Sequence, residues 1–154
     1  MSNAATKVEQ ALVLIKPDAV SKSLTGNIIT MLDSTGLKMV GAKVVKVSKK
    51  LAETHYAEHK GKPFFNSLIE FIMGEKYTPR VVAMVYQGPN AIKVLRKLAG
   101  NTNPEDAEFN TIRGKYGRIN SKTKEFENAV HISDSPESGK REIALWFRPE
   151  ELVE

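Results

Sequence analysis

The stretch Ala11-Leu12-Val13-Leu14-Ile15, closed at once by Lys16-Pro17-Asp18, constrains this chain more than any other. Five consecutive apolar residues without polar alternation suit a central strand covered on both faces. Proline cannot continue a central ladder, so the strand ends at Lys16, whose charge is left where it can reach an open site.

Three further strands follow from the apolar pattern. Residues 38–47 carry Met39, Val40, Val44, Val45 and Val47, with interleaved lysines as a solvated face. Val81 to Tyr86 makes a third, and Ala129-Val130-His131-Ile132 a fourth. Between them the spacing predicts helices. One carries Leu24, Ile28 and Leu32 and ends at Gly36; one runs from Ser48 to about His59. Another opens at Pro63, buries Phe65, Leu68, Ile69 and Ile72, and closes at Gly74. After the turn Gly88-Pro89 and an N-cap at Asn90, a helix buries Ile92, Leu95 and Ala99 and stops at Gly100. Residues 101–127 show no periodicity and read as a long functional or mobile loop. Ser135-Pro136-Glu137 starts a final helix with Glu142, Ile143 and Trp146. Without the helical pair and the last helix the order is βαββαβ. The expected architecture is therefore α/β of the α+β kind, a ferredoxin-like sandwich with an antiparallel four-stranded sheet and extra helices.

At 154 residues the chain is expected to form one domain over 7–154, with residues 1–6 a disordered tail or cloning scar. No run of about 18 apolar residues predicts a membrane span, and no leader pattern is evident, so a cytoplasmic protein is expected. The absence of cysteine excludes thiolate catalysis and cysteine metal sites. The net charge of +5 suits an anionic partner.

Chemistry concentrates in Asn128-Ala-Val-His-Ile-Ser-Asp-Ser135, where His131 sits at a strand-to-helix junction. A neutral imidazole is a nucleophile near pH 7, and helix N-termini offer N–H groups to anions. The same ring could equally be a hydrogen-bonded core histidine. The Walker pattern and the nucleophile elbow are absent. His55-Tyr56-Ala57-Glu58-His59 formally matches an inverted zinc-peptidase signature, H-x-x-E-H. Arg113-Gly114-Lys115-Tyr116-Gly117 faintly echoes an RNA-recognition motif, without the aromatic residues that should follow.

A family resemblance emerges from the words taken together. Ile15-Lys16-Pro17-Asp18, His55-Tyr56, Pro63-Phe64-Phe65, Val81-Val82-Ala83-Met84, Gly100-Asn101-Thr102-Asn103-Pro104, Thr111-Ile112-Arg113-Gly114, the octet around His131 and Glu142-Ile143-Ala144-Leu145-Trp146-Phe147 occur in order. From about Leu12 to Leu152 the chain resembles nucleoside diphosphate kinase.

The resemblance implies that His131 takes the terminal phosphoryl group of a nucleoside triphosphate, mainly ATP, and passes it to a nucleoside diphosphate. Lys16, Arg96 and Arg113 would supply positive charge, with the Thr102 hydroxyl on a non-transferred phosphate. Tyr56 would direct Lys16, and Asn128 would join Lys16 on the ribose hydroxyls. Phe64 would stack on the base, a contact tolerant of base identity. Ser133 and Glu142 would hold the histidine, fixing its tautomer. Mg²⁺ would arrive mainly on the nucleotide's own phosphates. A symmetric homo-oligomer, tetramer or hexamer, is implied; nucleic-acid binding is not required. The chain departs from the family pattern at Ile132, where a small residue is usual, and at Glu127, where arginine is usual. It also carries added residues between Arg113 and Asn128 and near Glu75 to Thr78.

Overall fold

In a computed structural model, residues 7–153 are described, so the expectation for residues 1–6 lies outside them. The elements are β1 (Val8–Ile15), α1 (Pro17–Ser21), α2 (Thr25–Asp33), β2 (Lys38–Val45), α3 (Lys49–His55), α4 (Phe65–Ile72), β3 (Val81–Pro89) and α5 (Ala91–Ala99). They continue with α6 (Ile112–Tyr116), β4 (Arg118–Ile119), β5 (Phe126–Glu127), β6 (Val130–Ile132) and α7 (Pro136–Trp146), with short 3-10 turns between.

β1 pairs antiparallel with β3 from Val8↔Pro89 to Ile15↔Val82, and with β6 through Leu14↔His131. The sheet order is β2-β3-β1-β6, the ferredoxin-like arrangement expected. β1 explains its own sequence: Ala11, Val13 and Ile15 enter a core with α2, α5 and Ile112, whereas Leu12 and Leu14 enter another with α3, α4 and α7. A strand whose two faces are both dry has no reason to alternate. The extra helices α3, α4 and α7 thus cover the second face of the sheet.

Several boundaries differ from the expected ones for local physical reasons. α3 stops at His55, and residues 57–59 form a 3-10 turn. α4 begins at Phe65, so Pro63 precedes the helix rather than opening it. Gly74, at φ +75, closes the following turn so tightly that a Cβ there would strike the Thr78 carbonyl. Asn90 has a left-handed φ of 52° and its side chain does not cap. The Glu9 carboxylate accepts from Ile92 N at 3.2 Å instead, a cap donated by the neighbouring strand. Ala129 is not in the last strand; its φ of +69° makes a sharp turn before β6. Residues 101–127, expected as a loop, hold α6 and the β4–β5 hairpin. Elements of two and five residues are too short to display a period.

Candidate active site

β6 is an edge strand, and the site is built around its open side. Strand alternation sends Val130 and Ile132 into the first core, so His131 points to the opposite layer. Ile132 is 2 % exposed and packs in that core. The outward carbonyls of the two residues flanking His131 need donors. Arg113 Nη2 donates to Val130 O at 2.9 Å and Arg96 Nη1 to Ile132 O at 3.2 Å. Two guanidiniums are thereby fixed on either side of the imidazole.

The imidazole itself is held from α7. His131 Nε2 lies 3.1 and 3.0 Å from the two Glu142 oxygens. Ser133 Oγ donates to Glu142 Oε1 at 2.7 Å and accepts from Leu12 N at 3.0 Å, anchoring the carboxylate to β1. α7 is positioned for this by the Ser135 cap on Ser138 N and by Pro136 at its first turn. Burial pushes the Glu142 carboxyl up, but the hydrogen bond and charge of His131, with the Ser133 hydroxyl, outweigh it and hold the group below the usual range. A carboxylate on Nε2 places the neutral ring's proton there and leaves the Nδ1 lone pair free.

His55 completes the support. It is 2 % exposed, edge-on to His131 with centroids 4.6 Å apart, and accepts from Trp146 Nε1 at 3.0 Å. Burial, with His131 beside it, pushes its pKa down to about 3. It is neutral, and with Nδ1 accepting, its proton sits on Nε2.

Lys16, at the end of β1, is buried, with Nζ 2.7 Å from Asn128 Oδ1 and 4.7 Å above the Phe71 ring. Burial outweighs the pull of Asp18 and lowers its pKa to about 8. The hydrogen bond that directs Lys16 therefore comes from Asn128, whereas Tyr56 packs edge-on to His55 at 4.7 Å. Asn128 Nδ2 donates in turn to Thr102 O at 2.9 Å. Arg113 is 7 % exposed, also bonds Gly100 O at 2.9 Å, and keeps a buried Nε without a partner. Burial and the nearby Arg96 lower its pKa to about 10.

A cavity of about 680 Å³ brings together Lys16, Tyr56, Phe64, Arg96, Thr102, Arg113, Asn128, His131 and Glu142. Phe64 stands half exposed on its wall. Of the residues singled out from sequence, Ser133 alone is not on the lining, being fully buried behind Glu142. Two supporting residues were not anticipated. Asp18 Oδ2 accepts from Ala129 N at 3.0 Å, locking the left-handed turn that aims Asn128. His55 was read on a metal pattern rather than as a prop for His131. The Lys-Pro-Asp word hinted at Asp18, but its partner lies 111 residues away.

The competing motifs fail on geometry. His59 Nδ1 lies 3.0 Å from Lys62 Nζ, away from the buried His55. Among the described residues, His55, His131 and Glu142 do bring ligand atoms within 4.8 Å of one another. However, the Trp146 bond leaves His55 without a lone pair for a metal, and His131 and Glu142 are already bonded to each other. Residues 113–117, whose pattern echoes an RNA-recognition motif, form most of α6 and its C-cap Gly117, with Thr111 capping Gly114 N.

These features define a class: a ferredoxin-like sandwich carrying a carboxylate-held imidazole in a cationic cavity of nucleotide size. The sequence profile of the family "Nucleoside diphosphate kinase" matches residues 9–152. A protein of that name from Thermococcus kodakarensis is 51% identical over 148 residues, covering 96% of this chain and 82% of the relative. A halophilic nucleoside diphosphate kinase from Halobacterium salinarum, solved in complex with CDP, superposes with a TM-score of 0.87 at 42% identity, covering 96% of this chain and 93% of that one. A Borrelia burgdorferi nucleoside-diphosphate kinase, described as a transition state mimic with vanadate and ADP, gives 0.85 at 32% identity, with coverages of 96% and 91%. The chain belongs to the nucleoside diphosphate kinase family.

Proposed function

We propose that this chain moves the terminal phosphoryl group of a nucleoside triphosphate, chiefly ATP, onto His131 Nδ1 and from there onto a nucleoside diphosphate. The observation that carries the reading is the Glu142 carboxylate on His131 Nε2, which leaves the opposite nitrogen as nucleophile beside three buried or anchored cations. In the first half-reaction the Nδ1–P bond forms as the bond from phosphorus to the bridging oxygen breaks, and that electron pair leaves on the diphosphate. The ring becomes positive while keeping its Nε2 proton, and Glu142 stabilises the charge. In the second, a terminal oxygen of an incoming diphosphate attacks phosphorus, the P–Nδ1 bond breaks, and the neutral imidazole returns.

Little covalent work falls to the other residues; their task is positioning and charge stabilisation. Arg96 and Arg113 flank the phosphorus, and Thr102 takes a non-transferred phosphate. Lys16 and Asn128 take the ribose hydroxyls, and Phe64 the base. The CDP and ADP of the solved relatives support a nucleotide in this cavity. Among the described residues the one close ligand cluster is nitrogen-rich and already bonded, so they fit Mg²⁺ as an ion carried in by the phosphates. When bound there, it neutralises phosphate charge.

One domain from Lys7 onward suffices for this chemistry, and an enzyme drawing on free nucleotides fits the cytoplasm. No described helix is long and apolar enough to cross a membrane. We also read the protein as a homo-oligomer, tetramer or hexamer. β2 is an edge strand with Met39 38% and Val44 65% exposed, an unpaired template for a second chain. Light scattering reads the assembly.

Incubation with labelled ATP and Mg²⁺ should leave an acid-labile, base-stable phosphate on the protein and none on His131→Ala. Equal labelling of both would end the reading.

A further inference from the structure

Two local costs meet beside Asn128. Val130 N donates to Asn128 O at 2.7 Å across Ala129, whose φ is +69°, so the three residues form the rare, strained kind of γ-turn around a residue that carries a Cβ. Next to it Asp18 is fully buried. Its Oδ2 accepts from Ala129 N at 3.0 Å, and its Oδ1, among the described residues, has no hydrogen-bond partner. A half-satisfied buried carboxylate and a strained turn each lower stability, and such features persist where the geometry they fix is used.

What they fix is a ring of contacts. Lys16 N donates to Ala129 O at 2.8 Å while the Asp18 carboxylate takes Ala129 N, so Lys16-Pro17-Asp18 grips one residue from both sides. Pro17, between them, has its φ fixed by its ring, which narrows the freedom of the grip. The gripped residue adjoins Asn128, whose Oδ1 meets Lys16 Nζ at 2.7 Å and whose Nδ2 donates to Thr102 O at 2.9 Å. Lys16 and Asn128 are thereby held as a donor and an acceptor at fixed spacing, the preorganised arrangement that loses least freedom on binding. We propose that Asp18 is a positioning residue for sugar recognition: through the Ala129 peptide it holds the Lys16–Asn128 pair in register for the hydroxyls of a ribose, and so makes the site select nucleotides that carry them. The inference rests on the reading of Lys16 and Asn128 as the ribose contacts. A hydroxyl can donate to Asn128 Oδ1 and accept from Lys16 Nζ at once, and a sugar without hydroxyls forgoes both bonds.

The test compares ADP with 2′,3′-dideoxy-ADP by calorimetry on the full chain. The wild type should prefer ADP about tenfold. Asp18→Ala removes the acceptor and should bring the two affinities within about twofold of each other by weakening ADP alone. Asp18→Ser, whose hydroxyl is too short to reach Ala129 N, serves the same end if the alanine protein does not fold. Asp18→Asn keeps an acceptor at the same reach and should keep the wild-type ratio. In Asn128→Ala the ratio is already lost, and adding Asp18→Ala should not move it further. A wild-type ratio in Asp18→Ala or Asp18→Ser overturns the proposal, as does loss of the ratio in Asp18→Asn or equal weakening of both ligands. The two readings fail apart: a wild type that binds both ligands alike removes the ribose role of Asn128 and this inference with it, whereas a wild-type preference that survives Asp18→Ala removes the grip alone.

Discussion

Trp146 donates its indole N–H to His55 Nδ1 at 3.0 Å, and this bond fixes the tautomer of a buried ring lying edge-on against His131. Because the folded protein holds the His55 pKa near 3, below the ordinary 6.5, an unfolded chain binds a proton there that the folded one refuses. Between those values stability falls as pH drops, by up to about 1.4 kcal/mol per pH unit. Urea midpoints from pH 6.5 to 4.5 should show this slope in the wild type and a flatter one in His55→Gln. Identical slopes would place the ring's acid behaviour elsewhere.

Among the described residues no carboxylate lies at ion-pair distance from Lys16, and burial brings its pKa to about 8, so its charge is lost soon above neutrality. For the free enzyme, kcat/KM with ATP should fall above pH 8, approaching tenfold per pH unit. Lys16→Gln should be slow and flat across that range. A wild-type profile level to pH 10 would contradict the assignment.

Glu142 has two jobs, one on His131 and one on Ser133. Glu142→Gln preserves shape but removes the charge that faces the developing imidazolium, and should slow single-turnover phosphorylation about 100-fold with ATP affinity nearly unchanged. Ser133→Ala leaves Leu12 N unpaired in the core, and should cost about 1–2 kcal/mol in denaturant melts with a smaller loss of rate.

Glu127 is fully buried, and the cations of Lys22 and Arg118 converge on it. Burial alone would raise its pKa, but hydrogen bonds from Arg118, Lys22 and Asn120 prevail and bring it to about 2. The carboxylate's contribution is therefore complete above the ordinary 4.5 and is lost as pH falls toward 2. Glu127→Gln should destabilise by about 2 kcal/mol, less than a fully buried pair because its cations are partly solvated. Chemical denaturation at pH 7 measures it, and the gap between variant and wild type should narrow near pH 3.

Local chemistry made much of the fold legible. The run Ala11–Ile15 announced a two-sided strand, and Ser135-Pro136 marked the start of α7 where it occurs. Asn90 shows where such reasoning stops: the residue type was right for a cap, but the capping acceptor is Glu9, 83 residues from the donor Ile92 N. The hairpin at 118–127 left no periodic trace because its order comes from Lys22 and Lys76, both distant in sequence.

The sequence by itself determined which side chains could do chemistry and which face is dry on the strands and helices long enough to show a period, since both depend on residue type and spacing along one element. Only the tertiary structure decided which His131 nitrogen is free, that Lys16 is directed by Asn128, and that His55 is a neutral prop rather than a ligand. Those outcomes depend on partners brought within 3.1 Å from 11 to 112 residues away. No pattern along the chain encodes a distance across the fold.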